Sequence, residues 1–296
     1  MKTRLVTAAL CLHIGVVLLA QDPAPQAGGQ RGGRGRGGGL TQATDPRVQN
    51  RTYRFAEANE DMPYSVFVSS KVSKDKKNPL IVTLHGLGAG PGVMMRGRAL
   101  DLAEEGGYIL VAPMGHNTGG WYGSPVMVGG RGGAPAAASE TPAGRGATPA
   151  GAGRTAGPPN ELSEKDVMNV LELMRKEFNV DERRTYLMGH SMGGAGTFHL
   201  GVKYSANWAA IAAMAPASFL MDPSMLAPVK DTMPVLVVVG DQDNLMATAR
   251  QWAETMKELK MTHKYIEIPG ANHGSVIDQA MPDVYAFFKE HVRTAR

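Results

Sequence analysis

The sequence predicts one α/β domain on a doubly wound, mostly parallel sheet, with two antiparallel strands at its N-terminal edge. Its 296 residues are enough for one sizeable domain. From residue 80 onward, short apolar runs alternate with segments of helical periodicity, as in a parallel sheet covered by helices on both faces. Before them, apolar and polar residues alternate on both sides of Met62-Pro63, which predicts an antiparallel pair.

The predicted strands are therefore of two kinds. The first two, at residues 53–56 and 64–68, alternate and are expected at a sheet edge. The others are nearly continuous apolar runs, as strands buried on both faces require. They lie at residues 80–84, 108–112, 185–188, 209–214, 235–239 and 265–268.

Three amphipathic helices are predicted among the later strands. The first has its apolar positions at 167, 170, 171, 174 and 178, and the second at 249, 252, 253, 256 and 259. Ser163 and Asp166 have the spacing of a capping box, which would place the first helix after them. Pro282 suits the first turn of the third helix, whose inward positions are 284, 287 and 288.

Two N-terminal segments stand apart from this domain. Residues 1–20 begin with Lys2 and Arg4 and continue as an apolar run, the layout of a cleaved signal peptide. The run is marginal as a membrane span, which needs about 20 apolar residues. Residues 21–45 are rich in Gly and Arg and predict a disordered tether. We therefore expect a domain at residues 46–296 that is periplasmic or extracellular, without stable membrane insertion after signal removal.

The net charge and the cysteine content exclude several classes of function. Residues 1–39 hold the whole net charge of +4, so the rest of the chain is neutral by formal count and offers no broad surface for nucleic acid. Arg-Gly-Gly runs also occur in RNA-binding segments, but the scarcity of aromatic residues favours a tether. Cys11, the only cysteine, lies in the predicted signal, which excludes thiolate chemistry from the mature chain.

A second low-complexity segment interrupts the domain at about residues 123–160. It consists mainly of Gly, Ala, Pro and Arg, a composition that cannot bury a core. The segment predicts a long surface loop or lid ahead of the first amphipathic helix.

The strongest local signal is Gly189-His190-Ser191-Met192-Gly193, a Gly-x-Ser-x-Gly pattern directly after an apolar run. A sharp strand-to-helix turn strains the backbone at the serine and crowds the positions two residues to either side, where glycine fits best. Ser191 is therefore predicted to be an exposed nucleophile, with the Met192 N–H as an oxyanion donor. The alternative is an ordinary glycine-rich turn.

A serine hydroxyl is a weak nucleophile and needs a histidine base nearby. His273 is the predicted base, because it follows a short strand and precedes the last helix, in the chain order that this motif requires. His199, His263 and His291 are expected to be structural or solvated.

The acid that orients the base is expected after the strand at residues 235–239, where Asp241 and Asp243 compete. Asp243 is the predicted acid, because the acid usually follows such a glycine, here Gly240, by three residues. Asp241 is expected to brace the turn instead.

Two more turns are expected at the same end of the sheet. The turn His85-Gly86-Leu87-Gly88 follows a buried strand, and its Leu87 N–H is the second predicted oxyanion donor. Residues 114–124 follow another strand and carry aromatic side chains. The predicted substrate-pocket residues are His85, His116, Trp121, Tyr122 and His190. The aromatic residues of 114–124 fit a hydrophobic plug beneath the long loop equally well.

Together these residues resemble the α/β-hydrolase superfamily, and within it exported esterases, polyhydroxybutyrate depolymerases and the catalytic domains of prolyl-oligopeptidase-type enzymes. The resemblance covers roughly residues 53–291. Its matching pieces are Met62-Pro63-Tyr64, residues 79–86, Val180-Asp181, residues 183–194, residues 240–243 and Asn272-His273-Gly274.

The resemblance implies an acyl-serine intermediate that water hydrolyses with the help of the same histidine, without a metal or other cofactor. It implies small-molecule or polymeric carboxylic esters as substrates. A serine peptidase with the same three residues and an inactive secreted binding protein with the same fold remain alternatives. The sequence leaves the acyl group, the alcohol and the oligomeric state open.

Overall fold

Eight strands form one mixed sheet in the computed structural model, which describes residues 42–125, 127–128, 155–156 and 161–294. The predicted signal peptide, nearly all of the predicted tether and most of the 123–160 insertion lie outside the described residues. The eight strands are β1 (Gln49–Phe55), β2 (Glu60–Val68), β3 (Asn78–Leu84), β4 (Ile109–Pro113), β7 (Val180–His190), β8 (Ala210–Met214), β9 (Val235–Gly240) and β10 (His263–Ile268). A separate antiparallel pair, β5 (Met127–Val128) and β6 (Thr155–Ala156), lies within the insertion.

The sheet order is β1-β2-β4-β3-β7-β8-β9-β10. The first two strands pair antiparallel, and β2 also pairs antiparallel with β4. All the remaining neighbours are parallel. The predicted fold class, a mostly parallel sheet with an antiparallel N-terminal edge, is confirmed.

The strands at the centre of the sheet are covered on both faces. Every residue of β3, β4, β8 and β9 is buried, which explains their continuous apolar sequences. The helices are α1 (Arg98–Gly106), α2 (Glu161–Glu177), α3 (Met192–Lys203), α4 (Met246–Glu258), α5 (Val276–Gln279) and α6 (Met281–Glu290). Helix α6 packs with α1 and α5, whereas α3 and α4 share contacts with the 3₁₀ turn Pro223–Val229. The parallel strands end in loops at one edge of the sheet, where ligands of such folds bind.

Helix α2 begins two residues before Ser163, so the predicted capping box is wrong. Ser163 Oγ instead accepts a hydrogen bond of 3.0 Å from the Tyr122 N–H. The buried Asp166 carboxylate accepts bonds from the Tyr53 hydroxyl and the Gly115 N–H, each 2.6 Å, and a 3.0 Å bond from the His116 N–H. Burial raises the pKa of Asp166, and these donors oppose that shift. The two side chains hold the loop after β4.

A second buried carboxylate joins α2 to α3. Glu164 accepts from His199 Nε2 at 2.7 Å, from Lys203 Nζ at 2.6 Å and from the Tyr204 hydroxyl at 2.5 Å. Burial disfavours its charge, but these three donors outweigh burial and lower the pKa of Glu164. Because His199 is hydrogen-bonded within this cluster, its role is structural, and it links α3 to α2.

We expect Asp166→Ala to lower the free energy of unfolding by about 3 kcal/mol, because the buried Gly115 N–H and two half-buried donors lose their acceptor. Urea denaturation measures the change. Asp231→Ala is the control, since its carboxylate is exposed in a surface ion pair and its loss is expected to cost less than about 0.5 kcal/mol. Equal stabilities of the two variants would contradict the role of Asp166.

Candidate active site

Ser191 occupies a strained turn between β7 and α3. Its backbone angles are φ 57° and ψ −116°, a combination that residues other than glycine rarely adopt. Its N–H donates to Met214 O at 3.0 Å, which ties the turn to the next strand. A methyl group on Gly189 would lie 2.2 Å from Gly193 O, and one on Gly193 would lie 2.2 Å from Leu84 O. Glycine is therefore required at both positions for α3 to pack this closely.

Three side chains from separate loops form a continuous chain of hydrogen bonds. Ser191 Oγ lies 3.0 Å from His273 Nε2, and His273 Nδ1 lies 2.8 Å from Asp243 Oδ2. The loops follow β7, β10 and β9, at the carboxyl ends of these strands. The structure thus brings together the three side chains for which the sequence predicts the roles of nucleophile, base and acid.

The carboxylate fixes the tautomer of the imidazole. Burial disfavours the charge of Asp243, but the hydrogen bonds from His273 and from the Leu245 N–H outweigh burial and lower its pKa. An ionised carboxylate only accepts hydrogen bonds, so the proton of His273 lies on Nδ1. The lone pair of Nε2 then faces the hydroxyl of Ser191, as a general base requires.

Asp241 lies outside this chain of hydrogen bonds. Its Oδ1 accepts from the Gly270 N–H at 2.8 Å, so it links the turn after β9 to the turn after β10. This position agrees with the expected bracing role of Asp241.

The two residues with predicted oxyanion roles, Leu87 and Met192, are close to Ser191 along the chain or in the neighbouring turn. Met192 is the first residue of α3, where an N–H lacks an intrahelical acceptor and the helix dipole favours negative charge. A methyl group on Gly86 would lie 3.3 Å from Ser191 Cβ, so the turn after β3 runs beside the serine. The Leu87 N–H in that turn donates to no acceptor within the part of the chain that the structure describes. The oxyanion roles of Leu87 and Met192 therefore remain predictions, and the surroundings of both residues are compatible with them.

The prediction of a pocket role for His85 and Tyr122 is wrong, because both side chains are buried beneath the turn. His85 Nδ1 lies 2.8 Å from Gly86 O and its Nε2 lies 2.8 Å from Met114 O. Burial lowers the pKa of His85. The Tyr122 hydroxyl accepts from the His85 N–H at 3.1 Å and donates to His85 O at 3.3 Å. Tyr122 is therefore a buried hydrophobic residue rather than a pocket residue, and it supports the turn that carries Leu87.

His190 is also misassigned as a pocket residue. Its side chain is buried, its Nε2–H donates to His273 O at 2.7 Å, and the two rings are 4.6 Å apart. The pKa of His190 is lowered to about 4, mainly by burial and to a smaller extent by the charge of protonated His273. His190 is therefore neutral near pH 7 and holds the loop that carries His273.

Of the remaining pocket predictions, His116 pairs with Glu60 and Trp121 contacts an aromatic residue that the sequence analysis does not predict. His116 Nε2 lies 3.1 Å from Glu60 Oε1, on the edge strand β2. The half-buried Trp121 meets Phe219 edge to face, with ring centroids 6.3 Å apart. Phe219 and its neighbour Leu220 were missed by the sequence analysis, although their position shortly after the strand at 209–214 was a usable signal.

Within the ranges described, no group of three His, Cys, Asp or Glu side chains is arranged to hold a metal ion. In the same ranges, every helix is too short or too polar to cross a membrane.

Comparison with known proteins identifies the fold. The family model for serine aminopeptidase, S33, matches residues 144–231, a region that includes Ser191 but neither Asp243 nor His273. No curated protein matches the chain significantly. A thermostable esterase superposes with a TM-score of 0.58 at 23% identity, over 83% of this chain and 64% of that one. The chain thus spans less than two thirds of that esterase.

Two further solved structures match over most of both chains. A ferulic acid esterase gives a TM-score of 0.58 at 19% identity, over 81% of this chain and 98% of that chain. A feruloyl esterase module from Clostridium thermocellum gives a TM-score of 0.59 at 16% identity, over 84% of this chain and 90% of that module. The chain has the α/β-hydrolase fold. In this α/β-hydrolase fold, the elbow between β7 and α3 carries Ser191.

The pKa of His190 predicts a pH-dependent loss of stability. In the unfolded chain a histidine titrates near 6.5, whereas folded His190 titrates at about 4. Between these values only the unfolded state binds the proton, so stability decreases as the pH falls from 6.5 to 4, by about 3 kcal/mol in total.

The variant His190→Gln cannot titrate and should lack this contribution. Urea denaturation at several pH values would show its free energy of unfolding falling about 3 kcal/mol less than that of the wild type between pH 7 and pH 4. Parallel pH profiles for the two proteins would show that His190 is not held neutral by burial.

Proposed function

We propose that this protein is a serine hydrolase that cleaves carboxylic esters through an acyl-serine intermediate. Ser191 is the nucleophile, His273 the general base and Asp243 the acid that orients it. The main support for this proposal is the chain of hydrogen bonds through the three side chains. Ser191 Oγ lies 3.0 Å from His273 Nε2, and His273 Nδ1 lies 2.8 Å from Asp243 Oδ2.

The reaction follows from this geometry in two steps. His273 Nε2 takes the hydroxyl proton while Ser191 Oγ attacks the ester carbonyl carbon, and the Leu87 and Met192 N–H groups stabilise the oxyanion. Collapse of the tetrahedral intermediate breaks the ester bond, and His273 gives its proton to the leaving alcohol. Water, deprotonated by the same nitrogen, then attacks the acyl carbon. Collapse of this second tetrahedral intermediate breaks the bond to Ser191 Oγ, which takes the proton back from His273, and the acid is released.

A peptidase is the second candidate, because the matching family model is described as a serine aminopeptidase. The same three side chains serve both reactions, so only the leaving group distinguishes them. The esterases among the similar folds favour ester substrates. Aminoacyl p-nitroanilides assayed beside p-nitrophenyl esters separate the two activities.

We also propose that the protein is exported after removal of residues 1–20. The support is the sequence itself, since Lys2 and Arg4 precede an apolar run that ends at Ala20.

We expect Ser191→Ala to lower kcat for p-nitrophenyl esters by about 10⁴-fold or more, because no other group replaces the attacking oxygen. Initial rates with p-nitrophenyl acetate and butyrate measure the loss. A chelator should leave the wild-type rate unchanged, because the mechanism uses only side chains and backbone groups. Equal slow rates for the wild type and the variant would contradict the proposed function.

The two aspartates provide a matched comparison for the acid. Asp243→Asn should lower kcat by about 10³- to 10⁴-fold, because the amide favours the wrong tautomer of His273. Asp241→Asn keeps an oxygen that the Gly270 N–H can reach, and it should cost less than about tenfold. The reverse order of these losses would move the acid role to Asp241.

Export predicts the mature N-terminus. Mass spectrometry of the protein secreted by its own host should give a chain that begins near residue 21. An intact Met1 on the purified protein would show that residues 1–20 are retained.

A further inference from the structure

Large apolar side chains are exposed at four positions of the described residues. They are Leu87 at 59%, Phe219 at 45%, Leu220 at 39% and Val292 at 42% exposed. Scattered apolar residues are common on protein surfaces, but a cluster of them marks a binding surface. Leu87, Phe219 and Leu220 belong to loops around Ser191, and this clustering near the nucleophile indicates a role in binding.

The contacts between the loops place these side chains around the serine. Leu87 follows Gly86, which packs against Ser191, and a methyl group on Gly119 would lie 3.5 Å from Leu87 Cδ1. Two residues beyond Gly119, Trp121 meets the ring of Phe219 edge to face at 6.3 Å.

The loop of Phe219 is itself tied to the serine. The Ala217 N–H, two residues before Phe219, donates to the backbone oxygen of Ser191 at 2.9 Å. We call Leu87, Trp121, Phe219 and Leu220 the apolar platform.

The loop that carries Trp121 is held in place by hydrogen bonds to α2. Trp121 has a φ of 56°, a left-handed conformation that costs free energy and persists only where the surroundings fix it. The Tyr122 N–H bond to Ser163 and the Gly115 N–H bond to Asp166 fix this loop against α2. A rigid apolar surface loses little conformational entropy on binding, which favours affinity.

The positions of the loops determine which part of an ester the platform contacts. At the carbonyl carbon, the oxygen faces the Leu87 and Met192 N–H groups and the leaving oxygen faces His273 Nε2. The His273 loop leads into α5, which packs on α6, whereas the turn Trp121–Gly123 packs on α2 and α3. The acyl substituent takes the remaining direction, away from His273 and toward Trp121 and Phe219.

The part of the insertion beyond Val128 is a poor alternative occupant of the platform. Residues 129–160 contain Gly, Ala, Pro, Ser, Thr, Asn, Glu and Arg but no large apolar side chain. Such a segment has little apolar surface to bury against two aromatic rings.

We propose that the apolar platform binds the acyl chain and selects esters of large apolar acids over acetate. This inference rests on the proposed function, since it assigns one part of the ester substrate to one side of Ser191. It names an aliphatic or aromatic acyl group larger than acetyl as the preferred substrate class.

The test compares kcat/KM for p-nitrophenyl acetate, butyrate, hexanoate and octanoate. In the wild type kcat/KM should increase along the series. In Phe219→Ala the ratio of octanoate to acetate should fall about tenfold or more, because the apolar contact area of the ring is lost. Phe219 is exposed, so its truncation leaves the core intact.

Val292→Ala is the matched control, because Val292 is equally exposed but far from Ser191. The next residue, Arg293, bonds through its N–H to Arg183 O near the start of β7, at the opposite end of that strand. This variant should keep the wild-type ratio. A ratio that is unchanged in Phe219→Ala, or that falls equally in Val292→Ala, would overturn the proposal.

A binding measurement separates this inference from the proposed function. Calorimetry on Ser191→Ala should show octanamide binding at least about tenfold tighter than acetamide, with the difference lost on adding Phe219→Ala. Octanamide binding without wild-type ester hydrolysis would refute the function and retain the platform. Ester hydrolysis without any preference for chain length would refute the platform. So would sedimentation showing that Phe219→Ala dissociates a dimer while the chain-length preference is unchanged.

Discussion

The left-handed backbone at Ser191 is the constraint on which the site depends. A conformation of this kind costs about 1–3 kcal/mol, so the neighbouring strands and helix must hold it. Strand β7 lies between β3 and β8 in the sheet, and β3 supplies the carbonyl of Leu84 against which Gly193 packs. Because the strained serine is at the centre of the sheet, the loops of its parallel neighbours converge on it, and each can supply a different group to one reacting carbon.

A layer of buried polar groups lies behind these loops and keeps them in position. His190 holds the His273 loop through its carbonyl, and the Tyr122 hydroxyl holds the backbone of His85. Asp166 in turn anchors the loop that leads to Tyr122. The groups facing solvent are thus supported by others that a substrate never touches, which is how a site keeps its geometry within a fraction of an ångström.

Much of this architecture could be predicted from local patterns, and the wrong or missing predictions have two physical causes. The strands, and the loops that bring Ser191, Asp243 and His273 together, follow from apolar runs and motif spacing. Helix α1 was not predicted, because its buried apolar residues are only Ala99, Leu100 and Ala103. The predictions of a capping box at Ser163 and of a pocket role for His190 are wrong, because the hydrogen-bond partners of both side chains are remote in the sequence. The carbonyl that His190 binds is 83 residues away, so no local pattern reveals it.

The two ends of the inserted segment are already joined by the fold. The Tyr122 N–H bonds to Ser163 Oγ, and β5 pairs with β6 between them. Where the ends of a loop are fixed, its closure entropy grows only with the logarithm of its length, by about 0.6 kcal/mol for each doubling. The insertion is therefore a position where natural variation or protein engineering can change length and composition, or graft a binding module, while the serine and its supporting loops remain as they are.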